Sequence, residues 1–237
     1  MKEICNPADP LKTICYYTMT YKEKLTNIQE IPTNFIRFYL VGLLLFCIPF
    51  TRSLFILLIP ASLLLVIGIA FYFHRNWTTT TIGWFLFIII SSFLLEMMGI
   101  STGKVFGHYR YGSGLGWQIA GTPPLIGINW LFLVYASNGL AGRITSHVWS
   151  KIPLAATIMI FYDLVVEMVA PAMQMWRFTT PYPPASNFIA WFLAGLVYHT
   201  GFAIFRINSQ NHIAGMLFLI QMLFFICIIL YQLIFSL

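Results

Sequence analysis

The chain alternates long apolar runs with short polar interruptions. The runs lie near 34–50, 53–73, 80–99, 122–139, 152–170, 186–205 and 213–235. Each approaches the length of about 20 residues that a helix needs to cross the hydrocarbon core of a bilayer. They predict an all-α, polytopic transmembrane helical bundle of about seven spans. Pro49, Thr51 and Arg52 leave only a very tight turn between the first two. Residues 1–33 carry Lys2, Lys12, Lys22 and Lys24 without an apolar core, so they read as a polar, basic leader at the membrane surface, not a cleaved signal peptide. The remainder, 34–237, reads as a single helical domain, with no internal repeat and no low-complexity linker.

Composition agrees with that pattern. The 237 residues are 59% hydrophobic and 8% charged, with a mean hydropathy of +0.81. A soluble domain carries roughly 25% charged residues, so too few are present to clothe a water-exposed surface. The net charge of +6 is spread thinly over the connections, with no run dense enough to track a phosphate backbone, which excludes nucleic acid as a partner. Its distribution reports orientation instead. If the helices alternate, one face collects the leader lysines, Arg37, Arg75, Arg143, Lys151 and Arg206, and the other Arg52, Lys104, Arg110 and Arg177. The richer face is expected in the cytoplasm, together with the N-terminus, in a cell (inner) membrane protein whose C-terminus lies outside. Cys5, Cys15, Cys47 and Cys227 are scattered, so neither a disulfide framework nor a metal site is expected.

Residues 100–121, ISTGKVFGHYRYGSGLGWQIAG, break the rhythm. Connections longer than roughly 12 residues are usually functional or disordered. This one is rich in glycine and aromatics, not solubilising charge. Irregular backbone at membrane depth persists only when buried in protein or lining a cavity. The segment is therefore read as a lid or re-entrant loop folded over the reactive face, with an interfacial linker as the plainer alternative.

Four of the seven acids lie in the leader, and the other three, Glu96, Asp163 and Glu167, fall inside predicted spans. Placing a carboxylate at the centre of a membrane helix costs about 2.5–3.5 kcal/mol even on insertion scales, so such residues are functional candidates by default. The plainer reading is an ion pair tying helices together. Glu96 ends the third span, Asp163 and Glu167 lie late in the fifth, and both spans run in one direction, so the three acids approach one face. Asp163 and Glu167, four residues apart, share a side of their helix. Carboxylates gathered in low dielectric cannot all ionise, and a pocket holding one protonated and one charged member has an acid and a base. A proton relay in a transporter would look the same.

Lys104, His108 and Arg110 follow Glu96 on that face, and Arg177 follows Glu167, so the arginines are expected to tune the acids. Tyr109, Tyr111, Trp117 and Trp176 are placed to line a pocket and stabilise a cation through their π faces. Asn129 and Trp130 enter the fourth span from the same side, Asn129 as a holder of water or as an interhelical hydrogen bond. His74, His147, His199 and His212 read as hydrogen-bonded structural residues.

The stretch from Glu96 through KVFGHYRYGSGLGWQIAGTPPLIGINW, with D163-LVVE-MVAPAM and later WRF and NFIAWFLAG, resembles the membrane-bound carotenoid biosynthesis family, which includes carotenoid 1,2-hydratases and bisanhydrobacterioruberin hydratases. The resemblance covers roughly 80–205 and is weak in the leader and first two spans. It implies water addition to the terminal C1=C2 double bond of an acyclic carotenoid of the lycopene or γ-carotene type, in the bilayer and without a cofactor. The residues suit that chemistry: a carboxylic acid protonates C2, and a carboxylate takes a proton from the water that captures the tertiary cation at C1. Asp163 and Glu167 are the expected pair, with Glu96 as partner or alternate acid and His108 with Asn129 as holders of water. A carotenoid cyclase, which shares the protonation but needs a dry pocket, is the nearest rival. A prenyl transferase would need a second acid-rich motif, and a proton-coupled transporter would favour inverted repeats.

Overall fold

The structure is a computed structural model and describes residues 30–235, so leader residues 1–29 lie outside the described residues. Among the described residues seven helices follow in order: α1 (Ile31–Cys47), α2 (Arg52–Tyr72), α3 (Thr79–Thr102), α4 (Leu125–Ile144), α5 (Val148–Val169), α6 (Ala185–Ile204) and α7 (His212–Phe235). Every predicted run is a helix, with ends displaced by a few residues. Six are long and apolar enough to cross a membrane, counting the Pro49–Thr51 turn with α2. The exception is α1, a shorter apolar helix of 17 residues that begins at Ile31, inside the stretch read as leader.

Local chemistry fixes the breaks. Pro49–Thr51 forms one 3-10 turn between α1 and α2. The Thr51 hydroxyl donates to the Leu45 carbonyl at 2.8 Å and Arg52 Nε to the Phe46 carbonyl at 3.1 Å, so two carbonyls orphaned by the end of α1 find donors in the turn and at the start of α2. Thr78 caps α3 by accepting from the Thr81 amide, and Gly103, at φ +65, ends it in the left-handed conformation that glycine adopts without a Cβ penalty.

The helices surround α4. From Leu125 to Gly139 all but one of its residues are buried, whereas its neighbours present large apolar side chains such as Leu57, Ile90, Phe161 and Leu223 outward. That arrangement suits a bundle whose outer solvent is hydrocarbon. Gly127 lets α4 approach α3, since a Cβ there would run into the Ile89 carbonyl oxygen.

The long connection after α3 is folded, not loose. Tyr109–Tyr111 forms a strand, β1, which pairs antiparallel with β2, Trp176–Phe178, in the connection between α5 and α6. The register sets Tyr109 opposite Phe178, Arg110 opposite Arg177 and Tyr111 opposite Trp176. Successive side chains on a strand point to opposite faces. Tyr109 and Trp176 are accordingly buried and Tyr111 and Phe178 half-buried, while both arginines are exposed. The Gly112 and Gly114 amides extend the ladder to the Met175 and Gln174 carbonyls at 2.9 and 2.7 Å. The expected lid is thus half of a two-stranded ribbon.

Candidate active site

Two helices, α3 and α5, bring the three acids together beneath this ribbon. Glu96 is buried near the end of α3. Its Oε1 accepts from Trp130 Nε1 on α4 at 2.9 Å, and its Oε2 from the hydroxyls of Tyr111, at 2.9 Å, and Tyr109. Burial first, and then the neighbouring Glu96, push both phenols above their ordinary range, so they remain protonated and donate.

Asp163 and Glu167 stand one turn apart on α5 and share a donor from α6. Asn187 Nδ2 donates to Asp163 Oδ2 at 2.9 Å and reaches Glu167 Oε1 at 3.4 Å. Trp176 Nε1, on β2, donates to Glu167 Oε2 at 2.9 Å. Asp163 Oδ1 is buried without a hydrogen-bond partner among the described residues. Trp130 stacks on Trp191 of α6, with ring centroids 3.9 Å apart, and so ties the Glu96 side of the site to α6.

Between Glu96 and Glu167 lies a cavity of about 20 Å³. Both acids line it, with Tyr109, Tyr111, Asn187 and the rings of Trp176 and Trp191. One water needs at least about 10–15 Å³ on this kind of measure, together with two to four polar partners. The space therefore suits a single water molecule between two carboxyl groups. Asp163 does not line it and stands behind Asn187.

Of the residues singled out in the sequence, Glu96, Asp163, Glu167, Tyr109, Tyr111, Trp130 and Trp176 are joined in this network. Lys104, His108 and Trp117 are exposed. Arg110 and Arg177, expected to tune the acids, are turned outward by strand alternation, and the carboxyl groups take their hydrogen bonds from neutral N–H and O–H groups instead. Asn129 is buried, and its Oδ1 has no hydrogen-bond partner among the described residues. Two members of the site were not singled out: Asn187 and Trp191. Their signal is an amide just inside an apolar span, with an indole one turn further along the same helix face.

Fold and site together define an integral membrane protein with a buried carboxyl cluster, closed over by a small aromatic ribbon. Residues 53–236 match the family described as carotenoid biosynthesis protein, and the chain belongs to that family. A bisanhydrobacterioruberin hydratase from Haloarcula japonica is 28% identical over 120 residues, a segment that covers 46% of this chain and 40% of that protein. No solved structure matches.

Proposed function

We propose that the protein is a cofactor-independent hydratase that adds water to the terminal C1=C2 double bond of an acyclic carotenoid end. The observation that carries this reading is the water-sized cavity between Glu96 and Glu167. The cavity as it stands has room only for the reacting water. An end group enters as the aromatic ribbon moves aside, and then meets one carboxyl on each side and aromatic faces between them. Glu167, with fewer donors on it than Glu96, delivers a proton to C2. The tertiary cation left at C1 faces the rings of Trp176 and Trp191. Water bonds to C1 and gives its proton to Glu96, whose carboxylate is held in place by three donors. The sum is one water added across one double bond, with no electrons exchanged. A proton passing from Glu96 back to Glu167 through the next water resets the site. Asn187, on the cavity wall, holds Glu167 in register, and Asp163 acts from behind by fixing Asn187.

The loop charges favour a cell-membrane orientation in which this end of the bundle faces away from the cytoplasm. The test is expression in cells that accumulate lycopene, followed by chromatography and mass spectrometry of the pigments. A more polar product heavier by one water, with an unchanged chromophore, is expected. It should vanish with Glu167→Gln and with Glu96→Gln. An isomer of unchanged mass with a shifted chromophore would instead identify a cyclase and overturn the reading.

A further inference from the structure

A second and larger cavity lies away from the carboxyl groups. It is an apolar groove of about 260 Å³ between α1, α2 and α7, floored by Met173 and Met175 from the turn after α5. Small-molecule sites typically span about 300–1,000 Å³, so the groove holds part of a long ligand and leaves the rest in lipid. Val41 and Leu58, at its mouth, are exposed towards the bilayer side of the bundle. Gly42 keeps the wall low, and not because packing demands a glycine: a Cβ there would make only ordinary contact, 3.6 Å from the Phe224 ring.

One wall residue does not suit hydrocarbon. Gln221 is 2% exposed, nine residues into α7, and its Oε1 has no hydrogen-bond partner among the described residues. Ser62, which also lines the groove, spends its hydroxyl on the Ile59 carbonyl of its own helix at 2.8 Å. A buried amide oxygen without a donor is costly, and most costly at membrane depth, where no water substitutes. The acyl chain of a phospholipid offers no donor there. An apolar chain carrying a hydroxyl does.

The groove also adjoins the acid site. Met175 immediately precedes Trp176, whose indole N–H holds Glu167. On the other wall, the Phe225 ring packs edge-on against Tyr162, the residue before Asp163, with centroids 5.9 Å apart.

We propose that this groove binds an isoprenoid chain bearing a hydroxyl group, with Gln221 Oε1 accepting the hydrogen bond of that hydroxyl. The identification of this chain with the unreacting remainder of the substrate rests on the hydratase reading; the binding itself does not. The experiment uses the full chain in nanodiscs of saturated phosphatidylcholine and a diazirine-tagged geranylgeraniol, with cross-links mapped by peptide mass spectrometry. Labels are expected on 38–45, 58–65 and 221–225. Untagged geranylgeraniol should compete roughly fivefold to tenfold better than the matching hydrocarbon, the difference one hydrogen bond to a buried acceptor makes. In Gln221→Leu that preference should disappear while hydrocarbon competition persists. Ala61→Trp, at the exposed mouth, should reduce labelling by both without requiring any buried residue to move. Equal competition by alcohol and hydrocarbon in the native protein, a preference that survives Gln221→Leu, or labels spread over all lipid-facing helices would each overturn the proposal. Preserved labelling and preference without turnover of lycopene would strike the hydratase reading alone; turnover without the preference would strike the groove alone.

Discussion

Two buried polar clusters sit towards opposite ends of the same helices. On α6, Asn187 belongs to one and His199 to the other, twelve residues and therefore about 18 Å apart. At the far end Asn138 Nδ2 lies 3.1 Å from His199 Nδ1, and Asn138 Oδ1 accepts from Ser209 at 2.7 Å. Asn211 donates to the Ala70 carbonyl and caps α7 through the Ile213 and Ala214 amides, and His74 meets the Tyr135 hydroxyl at 2.8 Å. That network joins α2, α4, α6 and α7, and none of its members is among the buried atoms left without a partner. The carboxyl end differs. Asp163 Oδ1, Asn129 Oδ1 and Thr122 Oγ1 lack partners there among the described residues, and a cavity lies between two of the acids. Burial and polarity are common to both ends. At the His199 end the network itself is paired, with the Trp84 indole N–H beside Gly201 and Phe205 unpartnered among the described residues, whereas the carboxyl end has three unpartnered oxygens and a cavity. A satisfied network ties helices together, whereas one with spare capacity and room beside it has something left to bind.

The sharpest way to break this contrast is to exchange the roles of the two ends. Glu167→Gln and Glu96→Gln should each lower turnover by about 10²–10⁴-fold, the usual worth of a general acid or base, and leave the melting temperature in detergent nearly unchanged. Asn138→Ala should do the reverse, costing about 1–3 kcal/mol of stability through stranded partners while turnover per folded molecule is kept. Equal loss of activity from both ends would remove the distinction.

Within the acid end, Tyr111→Phe removes one of three donors to Glu96 and should reduce turnover by roughly tenfold, the order of one hydrogen bond to a charged group. Arg110→Gln and Arg177→Gln should change it by less than about twofold, because both side chains are exposed on the outer face of the ribbon. A larger effect would restore them as tuning groups. The smallest expected effect belongs to His74, which lies beyond the end of α2. Burial pushes its pKa below the ordinary value, so the fold favours the neutral ring. Its contribution is fully present above about pH 6.5 and is lost as pH falls, since the unfolded chain then binds the extra proton. His74→Gln should flatten that part of the stability profile, measured by thermal melts between about pH 5 and 7.5.

The helices were legible because hydropathy is summed over some twenty residues, and local accidents average out. The acids were legible for the opposite reason: a single carboxyl in a span is expensive enough to be noticed alone. The ribbon was not, since a three-residue strand has no stability of its own and takes its definition from a partner in another connection. Yet YRY and WRF each alternate aromatic, basic, aromatic, the period-two signature of a strand with one buried face. Read that way, the arginines would have been placed outward and the tyrosines inward. Asn187 escaped notice because an amide carries no charge and so leaves hydropathy almost unmarked.

The ribbon also has a consequence for how the protein is made. Membrane helices enter the bilayer one after another as the chain is synthesised, and each satisfies its own backbone. Tyr109–Tyr111 has no strand to pair with until Trp176–Phe178 has emerged, after α4 and α5 are complete. Glu96 therefore waits in its helix, first for Trp130 and then for a ribbon that can hold its tyrosines in place. A nascent chain stalled before residue 176 would hold Glu96 in a finished helix with its tyrosine donors still unpositioned.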